Sequence, residues 1–295
     1  MLWPSMHRSL PVRMQRLAKS AVIVVLLLSP AVGAEGPTKL KPGFNLFTRQ
    51  QDIQLGQEVA AEIREKVTLV NDPVLTEYVN TLGRRLAASP EASASGFTFT
   101  FEVVADRKAN AFALPGGPMF INTGLLKTVS NEAQLAAAMA HEMSHVILRH
   151  GTNQASKQDL IQIPAALAGQ MTNSDTLMGR LTQLGIEMGE NGALLKFSRE
   201  HETQADIMGS HIMAEEGYDP VQMARLFQNL AEEQGSAAFQ FLADHPNPGN
   251  RSKLIKAEAF RLPERKYGYQ TGQFLRMKRA VAAVHEPPPK KEEKP

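Results

Sequence analysis

The sequence contains no cysteine in 295 residues. That excludes disulfides and a lipid anchor carried on a lipobox cysteine, so an exported form must be held by its core and any bound metal. It also lacks an uninterrupted apolar run of about 18 residues, so no clear membrane span is read from it. It has no strong charge bias. The formal net charge of +2 argues for no nucleic-acid partner. No internal repeat of roughly 20–50 residues is found, which removes the expectation of a solenoid array.

What is present is ordinary globular material, 43% hydrophobic and 21% charged, long enough for one large domain or two small ones. The start differs. Arg8, Arg13, Arg16 and Lys19 precede the short apolar stretch of "SAVIVVLLLSPAVGA" (20–34), and Val32-Gly33-Ala34 fits a small-residue cleavage site. Residues 1–34 therefore read as a signal peptide, with a mature chain from Glu35 in a bacterial periplasm; the alternative is an uncleaved membrane anchor. At the other end, "HEPPPKKEEKP" cannot bury a core and reads as a disordered tail.

Between these, residues 35–47 are Pro- and Gly-punctuated and read as a surface wrap. Helical periodicity runs over 52–67 and 73–88, the second opened by Asp72 and Pro73. Ser89 to Gly96 reads as a loop. "FTFTFEVVA" (97–105) alternates as a strand does. "NAFALPGGPMFIN" (110–122) reads as two strands around a Pro-Gly-Gly-Pro turn. The expected sheet is small and antiparallel, and the helix 131–150 follows it, capped by Ser130 or Asn131. Residues 151–190 read as two short helices, or alternatively a mobile lid. Helices are expected over 193–217, 219–235 and 251–261.

The helix 131–150 carries the chemistry. "QLAAAMAHEMSHVILRHG" (134–151) is apolar enough to be buried, yet holds His141, Glu142, Ser144 and His145. Burying such groups unpaired costs several kcal/mol, and a metal ion is the candidate compensation. His141 and His145 lie four apart, on one helical face and about 6 Å apart along the axis, so both can reach one zinc ion. Glu142, about 100° round, can face an attacking water as general base. His150, five residues on, points elsewhere and reads as a surface or helix-end histidine, where positive charge suits the helix dipole. The third ligand is not a histidine at the metzincin spacing, because positions 148 and 151 are Leu148 and Gly151. "EHETQAD" (200–206) offers carboxylates instead. Glu202 and Asp206 share a face, so one can bind the metal and the other can fix a ligand histidine. Spacing leaves Glu200 and Glu202 both open as the ligand.

H-E-x-x-H followed some sixty residues later by E-x-x-x-D resembles metallopeptidase family forty-eight, the family of HtpX, the CAAX prenyl protease and BepA. "NAFALPGG" (110–117), "NTGLL" (122–126), "FSREHETQAD" (197–206) and "HPNPGNR" (245–251) extend the resemblance over about 45–262. It implies a mostly helical α+β zincin (gluzincin) domain over 35–263, followed by a C-terminal extension, 264–295, with its tail. It makes Glu202 the third zinc ligand, Asp206 its support, and the chain a soluble exported member without tetratricopeptide repeats. The implied activity is zinc endopeptidase action on misfolded or unassembled envelope proteins, outer-membrane proteins among them, with peripheral membrane contact compatible. The alternative is a metal-bound periplasmic chaperone or adaptor with vestigial or auto-inhibited catalysis.

Three further readings concern the site. Asn110, Ala111, Phe112 and Ala113 form a candidate edge that binds substrate backbone by strand addition, or else an ordinary strand. His245, in a Pro- and Gly-rich loop, stabilises the oxyanion or occupies the open zinc position and blocks it; the plain alternative is an exposed loop histidine. Arg251 holds that loop or aids the oxyanion. His211 reads as structural.

Overall fold

The computed structural model describes residues 36–162, 186–189, 192–195, 197–232, 241–245, 249–268 and 271–287. The expected signal peptide, residues 163–185 of the expected helix pair or lid, and the tail beyond 287 lie outside them.

Residues 36–47 have no regular structure and are pinned by polar contacts. Thr38 is held by Glu258, Asn45 donates to Thr152 and the Leu46 amide donates to Ser156. Helix α1 (Arg49–Lys66) starts at a capping box built by Thr48 and Gln51. Helix α2 (Pro73–Ala87) is capped by Asp72, whose carboxylate accepts from the Val74 and Leu75 amides. The segment expected as a loop holds a short helix, α3 (Pro90–Ser95), capped by Ser89 and stopped by Gly96 with φ 74°.

Strands β1 (Thr100–Val104), β2 (Ala111–Ala113) and β3 (Pro118–Asn122) form a sheet in the order β1-β3-β2. β2 and β3 pair antiparallel around a turn in which Gly116 and Gly117 take φ values of 81° and 120°, conformations open to glycine. β1 joins β3 in parallel. The sheet is therefore small, as expected, but mixed; its antiparallel character holds for the hairpin alone. The connection from β1 crosses to the far edge before the hairpin returns the chain to the centre. Alternation sorts the side chains to two sides. Phe112 and Phe120 pack with Leu55, Val59 and Ile63 of α1. Ala111, Ala113, Met119 and Ile121 join the main core.

After α4 (Thr123–Thr128), helix α5 (Glu132–Ile147) is capped by Asn131. It ends earlier than expected. Arg149 adopts φ 57°, the left-handed region, and a new helix, α6 (His150–Gln162), starts. Arg149 is held there by Asp52, 2.5 Å away, and by the Phe47 carbonyl at 2.6 Å. Residues 193–195, expected as helix, belong to a two-stranded hairpin, β4 (Ile186–Gly189) and β5 (Gly192–Leu195). Helix α7 (Arg199–Glu215), capped by Ser198, then packs along α5. A Cβ at Gly209 would stand 3.2 Å from the His141 amide nitrogen and 3.3 Å from the Ala140 carbonyl carbon, so a residue without one lets the two backbones approach. Helices α8 (Val221–Glu232) and α9 (Arg251–Arg261) close the other sides. The expected extension carries helix α10 (Gly272–Ala282), whose Phe274, Met277 and Val281 share the main core.

Candidate metal centre

Helix α5 is buried along all 16 residues, which takes His141, Glu142, Ser144 and His145 out of water. Ser144 is satisfied locally by donating to the Ala140 carbonyl at 2.6 Å. The others turn to neighbouring elements. One turn apart, His141 and His145 bring their Nε2 atoms to 3.1 Å from each other. Helix α7 presents Glu202, with Oε2 3.2 Å from His141 Nε2 and Oε1 3.5 Å from His145 Nε2. The turn after 241–244 supplies His245, whose Nδ1 is 3.3 Å from His141 Nε2 and 3.2 Å from Glu202 Oε1. The four donors form one buried group.

These residues fit a metal ion on two counts. Donors bound tetrahedrally at about 2.0–2.1 Å lie roughly 3.3–3.4 Å apart; five of the six residue pairs here, at 3.1 to 3.5 Å, lie near that value, and the whole group lies within 4.8 Å. The charges also call for a cation. With the histidines neutral, as metal ligands must be, Glu142, Glu202 and Asp206 against Arg251 formally leave two negative charges in a dry site, where uncompensated charge is costly. A divalent ion cancels them.

Asp206, one turn beyond Glu202, lies 3.0 Å from His141 Nδ1. That contact fixes the histidine's proton on Nδ1 and leaves Nε2 as a lone pair toward the other donors. Arg251, from α9, binds Asp206 through Nε at 2.8 Å and Nη2 at 2.9 Å, and donates to Glu202 at 3.0 Å. Its guanidinium lies 3.6 Å over the Phe227 ring, and Nη1 reaches the His245 carbonyl at 3.4 Å. Arg251 thus ties two acidic residues and the His245 turn together.

Electrostatics separate the histidines. Burial pushes His145 well below its usual value, with its neighbouring histidines adding to the effect. Burial also opposes a charge on His141, but Asp206 and Glu202 outweigh it and raise that histidine. His245 is the extreme case. Burial is outweighed by Glu142 and Glu202 on either side, and the histidine is pushed up to about 10. The same imidazoles hold Glu202 well below the usual carboxylate range despite burial. His245 Nε2 lies 3.1 Å from Glu142 Oε1, so the ring stands between the donor set and the glutamate beside it.

The structure therefore gathers His141, His145, Glu202, Asp206, Glu142, His245 and Arg251 into one cluster. Glu200 falls on the exposed side of α7. Asn110 is near the cluster through one bond: its amide donates to Asp244, 2.9 Å away, beside His245. Ala111, Phe112 and Ala113 are buried at the sheet edge, with β5 packed against them. Sequence reasoning missed His150. It is buried, and its Nδ1 lies 3.0 Å from His145 Nδ1. On an unbroken helix position 150 would point away; the left-handed Arg149 turns it back. Missed too were Phe197, stacked on His145 with ring centroids 3.8 Å apart, and Phe241, stacked on His245 at 4.6 Å.

Comparison with known proteins bears on the same region. The description "Peptidase family M48" matches residues 73–259. The chain is 30% identical over 207 residues to the beta-barrel assembly-enhancing protease of Escherichia coli (strain K12), an alignment covering 68% of this chain and 42% of that protein. It is 30% identical over 265 residues to a putative beta-barrel assembly-enhancing protease of Vibrio cholerae, covering 86% and 54%. The mitochondrial metalloendopeptidase OMA1 of Schizosaccharomyces pombe is 30% identical over 212 residues, covering 71% and 60%. The chain thus spans about half the length of the curated relatives it matches.

Proposed function

Since the chain belongs to peptidase family M48, we propose that it is a metalloendopeptidase acting on polypeptides, that its ion is zinc, and that it cleaves misfolded or unassembled proteins of the cell envelope. The observation that carries the reading is the buried set of donors from His141, His145, Glu202 and His245, all within 4.8 Å of one another, with Glu142 at its edge. Zinc, when bound, supplies a Lewis acid and lowers the pKa of a coordinated water to about 7. Glu142 is the general base: it takes the proton of the attacking water and passes it to the leaving amine. Asp206 orients His141, and Arg251 holds Asp206 and Glu202 in place. No helix among the described residues is long and apolar enough to cross a membrane. The N-terminal stretch that reads as a leader supports a periplasmic location, and the names of the bacterial relatives support outer-membrane proteins as substrates.

A catalytic zinc site keeps one position open. Here His245 is one of the four side chains that would hold the ion and it also lies against Glu142, which favours an auto-inhibited resting form. His245 must swing away before substrate can be cleaved. The Asn110–Asp244 bond links that turn to strand β2. A substrate strand added along Asn110, Ala111, Phe112 and Ala113 would act on the His245 turn through this bond.

The test is zinc content and cleavage of casein or an unfolded outer-membrane protein, with and without chelator. Wild type should hold one zinc and cleave, and Glu142→Gln should hold zinc without cleaving. Cleavage that survives in Glu142→Gln overturns the mechanism, and wild type without zinc overturns the reading. His245→Ala should change cleavage or zinc affinity; if it leaves both unchanged, the resting block is wrong.

A further inference from the structure

The two ligand histidines of α5 need their protons on Nδ1 if both Nε2 lone pairs are to face one ion. For His141 the partner that enforces this is Asp206. For His145 no carboxylate among the described residues is bonded to Nδ1; the neighbour is His150 Nδ1, 3.0 Å away. A contact between two imidazole nitrogens has no fixed direction by itself, because either ring can be donor.

The direction is set one step further out. His150 Nε2 lies 3.0 Å from Gln204 Oε1, an oxygen that only accepts. The Gln204 amide cannot turn round without loss, because its Nε2 donates to Glu200 Oε1 at 3.2 Å. Gln204 therefore takes its hydrogen bond from His150 Nε2–H. That leaves His150 Nδ1 unprotonated, an acceptor for His145 Nδ1–H. The order Glu200, Gln204, His150, His145 runs one way and ends with a lone pair on His145 Nε2. Packing holds the rings at these angles. His201 stacks on His150 with centroids 4.3 Å apart and planes 11° from parallel, while Phe197 covers the face of His145. His201 is itself fixed by Asn153 Oδ1 at 3.1 Å, and the Asn153 amide donates to the Phe44 carbonyl.

We propose that His150 is a positioning residue for the metal, setting the tautomer of His145 as Asp206 sets that of His141, with Gln204 fixing the direction. An imidazole suits this place. A carboxylate at 150 would add an uncompensated negative charge to a cluster that a divalent ion already neutralises.

The inference rests on the zinc reading, and the experiment separates the two. Nitrogen-15 NMR of the imidazoles in the full chain, recorded without metal and with zinc, reports which nitrogen of each ring carries the proton. The expected result is His150 protonated on Nε2 and His145 on Nδ1 in both states; His150 protonated on Nδ1 overturns the proposal. Zinc affinity is then measured by competition with a chromophoric chelator. His150→Ala should weaken binding by about 10- to 100-fold. His150→Asn, whose side-chain oxygen replaces the Nδ1 acceptor, should recover part of the loss. Gln204→Met, at the exposed end of the relay, should lower affinity without removing a core ring. If wild type binds zinc and His150→Ala binds it equally well, the inference fails while the metal site stands. If wild type binds none, the metal reading itself fails.

Discussion

The two ends of helix α5 both bury carboxylates, and they satisfy them differently. At the start, Glu132 is 2% exposed and accepts from Tyr78 at 3.0 Å, Tyr218 at 2.7 Å and Thr271 Oγ1 at 2.5 Å. Its partners are hydroxyls from α2, the turn after α7 and the start of α10. Burial, together with Glu132, raises both tyrosines above their usual value, so they stay donors. The positive end of the helix dipole adds favourable charge. That end is complete as protein. At the other end, His141, His145, Glu202 and His245 crowd their donor atoms into one buried group, an arrangement that fits a cation. One end of the helix is a bolt, and the other is a socket for a cation.

The sharpest way to break that contrast is to remove the cation. A ligand that binds only the folded state at about a thousand times its Kd stabilises by about 4 kcal/mol. Chelation should therefore lower the melting temperature strongly, with the largest loss of amide protection around residues 141–145 and 202–206. Wild type melting alike with and without chelator would contradict a socket. Next in size is Glu132→Ala, which leaves three hydroxyls without their acceptor and should cost about 3 kcal/mol. Its zinc affinity should stay near wild type, because the change touches the bolt alone. A parallel loss of zinc would mean that the two ends are one cooperative unit.

A smaller effect tests how closely the socket depends on helix approach. Gly209→Ala places a methyl 3.2 Å from the His141 amide nitrogen and 2.8 Å from Met223 Cε. Overpacking of this kind costs about 1–3 kcal/mol. Here the strain falls on the backbone that carries the ligand, so zinc affinity should drop along with stability. Stability lost with affinity intact would show that α7 can shift without disturbing Glu202.

The side chains that the structure gathers were legible in the sequence because a helix translates spacing into geometry. Four residues between His141 and His145, and four between Glu202 and Asp206, fix a shared face whatever surrounds them. The choice between Glu200 and Glu202 needed the resemblance, since both lie near the start of α7 and only packing against α5 decides which turns inward. The histidine at 150 was read as a helix-end residue because a continuous helix was assumed. The break at Arg149 depends on Asp52 and Phe47, about a hundred residues earlier, and no local pattern announces it. The mixed sheet was hidden for a similar reason. The alternation in 97–105 identifies a strand but carries no information on which neighbour it joins. The helix in 272–282 escaped because its apolar residues are few; Phe274, Met277 and Val281 gain their meaning from the α2 surface they meet.

The smallest predicted effect concerns a third buried carboxylate, Glu258 on α9. It accepts from the Thr38 amide at 2.7 Å, the Thr38 hydroxyl at 2.6 Å and His211 Nε2 at 2.7 Å, and so fastens the N-terminal wrap. Burial works against its charge, but Thr38 and His211 outweigh that and hold it below the usual 4.5. A carboxylate lowered on folding contributes stability above its unfolded value and loses it as pH falls through the folded one. The wrap should therefore loosen in acid below about pH 4.5, by roughly 1 kcal/mol. The Thr38 amide is the reporter, since its own hydrogen bond to Glu258 is what titrates. Its exchange should accelerate on acidification relative to the intrinsic rate, and Glu258→Gln should make it fast at neutral pH with no further acid response. A Thr38 amide equally protected at pH 3 and pH 7 would mean that the wrap is held by Asn45, Thr152 and Ser156, and that the Glu258 contact is insensitive to its charge.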